Sequence, residues 1–121
     1  MKNEEVADLA NFLRARLDED DAAAQAAKTG APEDTTDLKA RVLADVAAKR
    51  GVLRFVEQKQ RNAEHDDFMV HRPASNALST MVLPLRRLAA AYPTHPDYQP
   101  EWQPNDEELK PDPRFSRTGR A

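Results

Sequence analysis

The sequence predicts an all-α fold, made of an antiparallel helical hairpin, a shorter third helix and an extended proline-rich C-terminal segment. Two stretches repeat apolar residues at three- and four-residue steps, which is the period of one helix face. Seven of the nine prolines lie in the last 38 residues, where that spacing excludes any long helix or strand. We therefore expect a helical domain over residues 1–102 and a polar, proline-rich tail over residues 103–121.

The composition predicts a thin hydrophobic core. Leu, Val and Phe together supply only 22 of the 121 residues, isoleucine is absent, and alanine provides much of the 40% apolar fraction. A core this small is marginal on its own, and self-association or a partner surface often supplies the missing burial. The composition thus favours a protein that binds a protein partner or itself.

Cysteine is absent, which excludes disulfides, Cys-based zinc sites and thiol nucleophiles. The N-terminus has no apolar core of a signal peptide, and no run approaches the roughly 18 apolar residues that span a bilayer. We expect no membrane association, and a location in the cytoplasm or within a phage particle.

The first helix is predicted over residues 3–27. Its apolar residues share one face, with a phenylalanine at the margin: Val6, Leu9, Ala10, Leu13, Leu17 and Phe12. Gly30 and Pro32 end the pattern, because glycine suits a helix C-terminus and proline cannot continue the helix. The connection that follows is short, so we expect the second helix to pack antiparallel to the first.

The second helix is predicted from Asp37 to about Ala63, the longest helical pattern in the chain. Its apolar stripe consists of Leu38, Val42, Val46, Leu53 and Val56. Lys49 falls inside the stripe, where its methylenes can cover the core while the ammonium reaches water. Gly51 interrupts this helix, either because another helix approaches closely or because the chain tolerates it.

The two predicted helices carry opposite charge. Residues 1–21 contain three basic and seven acidic side chains, and residues 39–61 contain seven basic and two acidic ones. Helices with net charges of −4 and +5 attract when they pair, although each exposed ion pair contributes only about 0–1 kcal/mol.

Residues 64–77 are predicted to form a polar loop. His65, Asp66, Asp67 and His71 lie close in sequence, but zinc sites hold ligands on defined elements, so a polar loop is favoured over a metal site. A third apolar face follows, made of Leu78, Met81, Val82, Leu85, Leu88 and Ala89. Because proline belongs in a first helical turn, we place the main third helix at Pro84 to Ala91, after a turn or a separate helical piece.

The aromatic residues after the third helix are predicted to be the partner-binding residues: Tyr92, His95, Tyr98 and Trp102. An extended segment can lay such side chains over an apolar groove of the bundle, or present them to another protein in a polyproline-like conformation. Packing on the bundle is the favoured interpretation for Tyr92 and Tyr98.

A second set of residues leaves nucleic-acid binding open as the alternative. Arg50, Arg54 and Arg61 share one edge of the second helix, and Arg86 and Arg87 lie near the end of the third. Arg114, Arg117 and Arg120 could add to this set from the tail. The chain as a whole is acidic, with a net charge of −3, so a solvated basic edge balanced by the first helix is favoured.

Three runs of sequence resemble, in the same order, a family of small proteins from actinobacteria and their phages. They are FLRARLDED at 12–20, RVLADVAAKR at 41–50, and LRRLA at 85–89 followed by HPDY and EW within residues 95–102. Typical members carry a longer insert between the first two helices, and many carry cysteines after the second helix that could hold a metal. This chain lacks both, and the resemblance implies no cofactor, metal ligand or catalytic residue.

We therefore expect a non-enzymatic protein, encoded by a phage or prophage, that acts through protein–protein interaction or as a structural accessory protein. The histidines lie outside the predicted helices, with no phosphate-binding glycine loop and no nucleophile motif nearby. No catalytic site and no cofactor are predicted.

Overall fold

The computed structural model describes residues 2–27 and 33–105 of the chain. Three helices, α1 (Lys2–Ala26), α2 (Glu33–Ala63) and α3 (Phe68–Ala89), precede a single 3-10 turn at Pro100–Trp102. The described ranges contain no strand, so the predicted all-α fold is confirmed. Residues 106–121, with most of the predicted tail and its three arginines, lie outside the described residues.

Ion pairs along the α1–α2 contact show that the two helices are antiparallel. Arg50, midway along α2, places its two terminal nitrogens 2.8 Å from Asp18 and Asp21 near the end of α1. Further along α2, Glu57 accepts from Arg14, whose Nε lies 3.1 Å away. The predicted attraction between oppositely charged helices therefore takes the form of specific side-chain pairs.

The helices enclose one hydrophobic core. The buried apolar residues of α1 are those of its predicted face, together with Phe12 and Ala24. The other buried apolar side chains are Val46, Leu53 and Val56 of α2, Ala74, Leu78, Val82, Leu85 and Ala89 of α3, and Trp102. Because α1 supplies a wide buried face, it is the helix on which the rest of the fold packs.

The N-terminal part of α2 departs from the prediction. The helix begins at Glu33 instead of Asp37, so the expected polar linker forms its first turn. Leu38 belongs to the predicted stripe but is 61% exposed, and Val42 is only half-buried. This part of the stripe faces the alanine-rich end of α1, where Ala23, Ala24 and Ala27 are too small to cover it and leave a shallow groove.

The predicted loop over residues 64–77 is limited to residues 64–67, and the prediction is wrong from Phe68 onward, where α3 begins. Asp67 caps α3, with its carboxylate accepting from the backbone N–H of Met69 at 2.9 Å, and the helix continues without a break to Ala89. An N-cap side chain of this kind satisfies one of the free N–H groups of the first turn. The aspartate counted among candidate metal ligands therefore begins a helix.

Two prolines lie inside α3, and the predicted start at Pro84 is wrong as well. Each removes one backbone hydrogen bond and can cost about 3 kcal/mol in a helix interior. Both prolines are exposed, whereas five α3 side chains on the opposite face are buried. Burial of that face offsets the proline cost, which a local rule cannot anticipate.

After α3, residues 90–102 form a closing segment that runs back along α1. Tyr92 reaches Asp20, His95 reaches Arg16, and Trp102 lies against Phe12. Four rings of this segment meet the Phe12 ring edge-on, with centroids 5.1–6.2 Å apart: Tyr92, His95, Tyr98 and Trp102. We call these five rings the aromatic cluster; such edge-to-face pairs each add about 0.5–1.5 kcal/mol beyond area burial.

Polar contacts tie the closing segment to α1 as well. Arg16 is buried, stacks 5.1 Å from the Phe12 ring centroid, and donates from Nη1 to His95 Nδ1 at 2.9 Å. The backbone N–H of Asp97 donates to the same His95 nitrogen at 3.0 Å. Since two donors converge on Nδ1, this nitrogen is the unprotonated one in the neutral ring. Arg16 Nε lies 2.9 Å from Glu19 Oε1 as an ion-pair contact without hydrogen-bond geometry.

Gly51 is not required by the fold. A Cβ built at this position would meet only the flexible tip of Arg54, at 3.6 Å, which is ordinary van der Waals contact. Among the described residues no other helix packs against Gly51, so of the two predicted alternatives the tolerated glycine is the one that holds for contacts within the chain. The glycine therefore lowers helix stability without an internal packing reason.

Replacing Gly51 with alanine should stabilise the protein by about 1 kcal/mol, because alanine loses less backbone entropy in a helix. We expect the thermal midpoint, followed by circular dichroism, to rise by about 4–8 °C. Ala48→Gly, an exposed alanine of the same helix, is the matched control and should lower stability by a similar amount. An unchanged or lower midpoint in Gly51→Ala would show that the glycine has a packing role.

Tyr92→Phe should destabilise the protein by about 1 kcal/mol at neutral pH, because Asp20 loses a hydrogen bond of 2.5 Å. Burial, and then the hydrogen bond to Asp20, raise the pKa of Tyr92 above its ordinary value near 10. A raised pKa means that the stabilisation is complete below about pH 10 and is lost as the pH rises further.

Urea unfolding at a series of pH values tests this expectation. The wild type should lose stability above about pH 10 more steeply than Tyr92→Phe. Tyr98→Phe keeps the ring contacts and is the control, since no polar contact of the Tyr98 hydroxyl is present in the described residues. Equal alkaline slopes for wild type and Tyr92→Phe would contradict the assigned role of this hydroxyl.

Candidate interaction surface

The four predicted partner-binding residues lie in the aromatic cluster. Trp102 is 2% exposed, and Tyr92, His95 and Tyr98 are half-buried against Phe12. Most of their apolar surface thus covers α1, as the favoured interpretation of Tyr92 and Tyr98 expected. Their role in binding a partner stays a prediction, and only their outer edges are available for it.

The five predicted nucleic-acid-binding arginines are not brought together. Arg50 and Arg86 form ion pairs with acidic residues of α1, and Arg87 lies 3.4 Å from the backbone oxygen of Asn105. Hydrogen bonds to Asp18 and then Asp21 raise the pKa of Arg50, so its charge is held in place. Arg54 and Arg61 remain exposed on the edge of α2.

Apart from Lys39, whose ammonium lies 3.5 Å from the Gln25 carbonyl oxygen, four cations of α2 have no carboxylate within ion-pair distance among residues 2–27 and 33–105. They are Arg41, Arg54, Lys59 and Arg61. By contrast, the acidic side chains Asp45 and Glu57 of the same helix are paired with Lys49 and Arg14. The surplus positive charge of α2 therefore faces solvent.

The solvent side of α2 carries an uncharged row between these cations. Steps of three and four residues keep it on the side opposite the buried stripe. We call it the outer face of α2; it consists of Ala40, Ala44, Ala47, Ala48, Gly51, Val52, Phe55, Gln58 and Asn62, of which only Gly51 and Asn62 are partly buried. In this chain, 32% of the residues are charged. An uncharged row of this length is therefore unusual for a helix face in contact with solvent.

Phe55 and Val52 are the large apolar residues of this face, with 45% and 37% of their surface exposed. Lys59 holds its ammonium 5.2 Å from the Phe55 ring centroid, a cation–π contact. Single exposed apolar residues are ordinary on proteins. Phe55 differs because it continues an apolar row that the fold does not cover.

Other exposed apolar side chains are more isolated. Phe68 and Met69 lie in the first turn of α3, where Arg72 covers the Phe68 ring at 5.5 Å. Leu38 borders a shallow apolar groove of about 280 Å³ between the end of α1 and the start of α2. Each of these sites lacks the flanking row that extends along the outer face of α2.

A polar cleft of about 480 Å³ lies beside Trp102, where α1 meets the closing segment. Glu4, Glu5, Asp8 and Glu101 line it together with Arg86, which is paired with Glu5. The cleft is acidic, and it contains neither a histidine nor a hydroxyl nucleophile among its lining residues.

The histidines and aspartates of residues 65–71 take part in local contacts. Asp67 caps α3, His65 Nδ1 accepts from the Asp67 backbone N–H, and His71 Nδ1 donates to the Ala63 carbonyl. Among the described residues, no three histidine or acidic side chains are grouped as a metal ion requires. These residues therefore form the hydrogen bonds of the connection between α2 and α3.

The outer face of α2 was missed by the sequence prediction, although a signal for it was present. The buried stripe is the stronger pattern because it contains the larger aliphatic residues. The opposite row consists mainly of alanines, which look like neutral helix formers, and its single phenylalanine lies next to Val56 of the core stripe. The absence of charge at successive three- and four-residue steps was the signal.

Within the residues that the structure describes, no helix is both long enough and apolar enough to cross a membrane.

Comparisons with known proteins identify the family of the chain. Neither a curated protein nor a solved structure matches the chain. A family of unknown function, DUF6221, matches residues 6–104, which include all three helices from Val6 onward and the closing segment. The chain therefore belongs to this family of unknown function.

Proposed function

We propose that this chain is a non-enzymatic protein that acts by binding another protein, with the outer face of α2 as the docking surface. The observation that carries the proposal is the exposure of Phe55 and Val52 within an uncharged row on an otherwise charged helix. A solvated helix normally carries charged or polar residues on this side. Burial of such a row against a partner is the arrangement that removes its apolar surface from water.

The packing of the rest of the molecule supports this choice. The aromatic cluster is already used to cover α1, so its residues offer little free apolar surface. Fully burying one large apolar side chain contributes about 1.5–3 kcal/mol of favourable free energy. The core of this protein leaves Val52 and Phe55 on the outer face of α2 exposed to water. A docking partner would bury that surface.

We extend the proposal to the origin and location of the protein from the sequence resemblance alone. A phage- or prophage-encoded accessory or structural protein would act in the cytoplasm of the host or within the particle. The resemblance to proteins of actinobacteria and their phages supports this part of the proposal.

Nucleic-acid binding is the second candidate, favoured by Arg54 and Arg61, which are exposed and have no carboxylate partner among the described residues. If it operates, a mobility shift with DNA or RNA should appear at about 50 mM salt and weaken steeply as salt rises. Arg54→Glu should abolish the shift, whereas Arg72→Glu, an exposed arginine of α3, should leave it intact. No shift with either nucleic acid at low salt would remove this candidate.

The protein-binding proposal is tested by affinity capture with a variant of the docking surface. Full-length wild type, Phe55→Glu and Met69→Glu would be immobilised and exposed to lysate from the native host. The wild type and Met69→Glu, which also places a carboxylate at an exposed apolar position, should retain the same protein. Phe55→Glu should lose it, because a carboxylate in the centre of the face must be desolvated on docking.

Circular dichroism of the three proteins provides the folding control, since both substituted positions are exposed in the free chain. A protein that the wild type and both variants capture equally would contradict the outer face of α2 as the docking surface. If only Met69→Glu failed to retain the captured protein, the docking surface would lie at the start of α3 instead.

A further inference from the structure

Two features of the outer face of α2 point to the chemistry of its partner. The first is charge: the row is bordered by cations on both edges, Arg54 and Arg61 on one side and Arg41 and Lys59 on the other. None of the four has a carboxylate partner within the described part of the chain. A partner with acidic residues on both sides of an apolar stripe would complement this surface.

The second feature is Gly51, which lies in the middle of the row. The fold leaves room for a Cβ at this position, and the glycine lowers helix stability by about 1 kcal/mol relative to alanine. Small residues allow the axes of two helices to approach more closely than the usual 8–10 Å. A glycine that the chain does not need for its own packing is suited to the point where a second helix crosses.

We propose that the outer face of α2 binds an acidic amphipathic helix of a partner protein, which crosses α2 at Gly51 beside Phe55. This inference rests on the proposed function, because it names the partner of the same surface. The apolar stripe of the partner helix packs on Val52, Phe55 and the alanines. Its carboxylates pair with the cations on the two edges of the row.

The dimensions of the face agree with a helix as the bound element. From Ala40 to Asn62 the row extends over 23 residues, which at 1.5 Å per residue is about 33 Å. Helix-in-groove recognition of this type relies on apolar anchors spaced three, four and seven residues apart. Only the Phe55 ring stands out from the row, so it is the anchor that we expect to contribute most.

Other occupants fit the surface less well. A second copy of this chain, docked through the same face about a two-fold axis, would bring the unpaired cations of both copies together. Single-stranded nucleic acid binds through several aromatic rings that stack on successive bases. This face offers one ring, and Lys59 already lies over it.

The test uses the full-length protein and a synthetic probe. The probe is a fluorescein-labelled amphipathic peptide of about 23 residues with leucine on one face and glutamate on both flanks, matched to the length of the row. A matched peptide carries lysine at every glutamate position. Fluorescence anisotropy should show binding of the acidic peptide that weakens as salt is raised, and at least about tenfold weaker binding of the lysine peptide.

Variants then locate the binding site on the protein. Phe55→Glu should weaken binding of the acidic peptide by at least about tenfold, as expected for a buried aromatic anchor. The double variant Arg54→Glu, Arg61→Glu should weaken it by a similar factor and reduce its salt dependence. Met69→Glu and Arg72→Glu, at exposed positions of α3, should bind as the wild type does.

Gly51 supplies a readout that separates docking from folding. Gly51→Leu should raise the thermal midpoint, because leucine is a better helix former and the position is open. The same variant should weaken binding of the acidic peptide, because the leucine side chain holds the two helix axes apart. A variant that is more stable and binds equally or more tightly would overturn the crossing at Gly51.

The remaining outcomes distinguish this inference from the proposed function. Equal binding of the acidic and lysine peptides overturns the acidic partner and leaves the docking surface standing. If the acidic peptide binds Phe55→Glu as tightly as the wild type, both the acidic partner and the outer face of α2 as docking surface are overturned. No binding of the acidic peptide overturns the inference, while affinity capture still decides the proposed function. Two further outcomes would also overturn the inference. Displacement of the acidic peptide by a single-stranded oligonucleotide would assign the face to nucleic acid. A dimer that light scattering detects and that Phe55→Glu dissociates would assign it to a second copy of this chain.

Discussion

The burial of α1 on two sides is the constraint on which the rest of this structure depends. A helix that packs on one partner buries a narrow stripe, whereas the buried residues of α1 include both Leu13 and its neighbour Phe12. The two long helices alone cannot cover so wide an arc. α3 and the closing segment complete the enclosure, so the aromatic rings after α3 serve first as a wall of the core.

The same constraint organises the charges. Acidic residues border the buried arc of α1, and they hold Arg50 of α2 and Arg86 of α3 through Asp18, Asp21 and Glu5. Each exposed pair adds little stability, but together they fix the register between α1 and its neighbours. Because the acidic residues are used along this seam, the cations on the far side of α2 have no carboxylate partner in the described part of the chain.

Much of the fold could be predicted from local sequence. The apolar face of α1 and the Val46, Leu53 and Val56 part of the α2 stripe lie in the core as their spacing indicates. The aromatic packing of Tyr92 and Tyr98 on the bundle also follows from composition. These features depend on helical periodicity and on the burial of large rings, which act over short stretches of chain.

The errors arise where tertiary contacts override a local rule. Pro73 and Pro84 lie within α3 because burial of its other face outweighs two lost hydrogen bonds. Arg50 and Arg86 look available in the sequence, but only the folded chain reveals their partners on α1. Leu38 has the spacing of a core residue, yet it faces small alanines at the end of α1 and stays exposed. Local pattern could not decide any of these outcomes.

The outer face of α2 shows how a stability cost can indicate function. Small domains are stable by only about 5–15 kcal/mol, so the roughly 1 kcal/mol that Gly51 forgoes is a measurable fraction of the total. Within the described residues this cost has no compensating contact, because the space above the glycine is open. The exposed Phe55 adds a second unfavourable term on the same face. A second helix in that space would offset both terms, and the four cations around it, which lack a carboxylate partner among the described residues, favour an acidic helix.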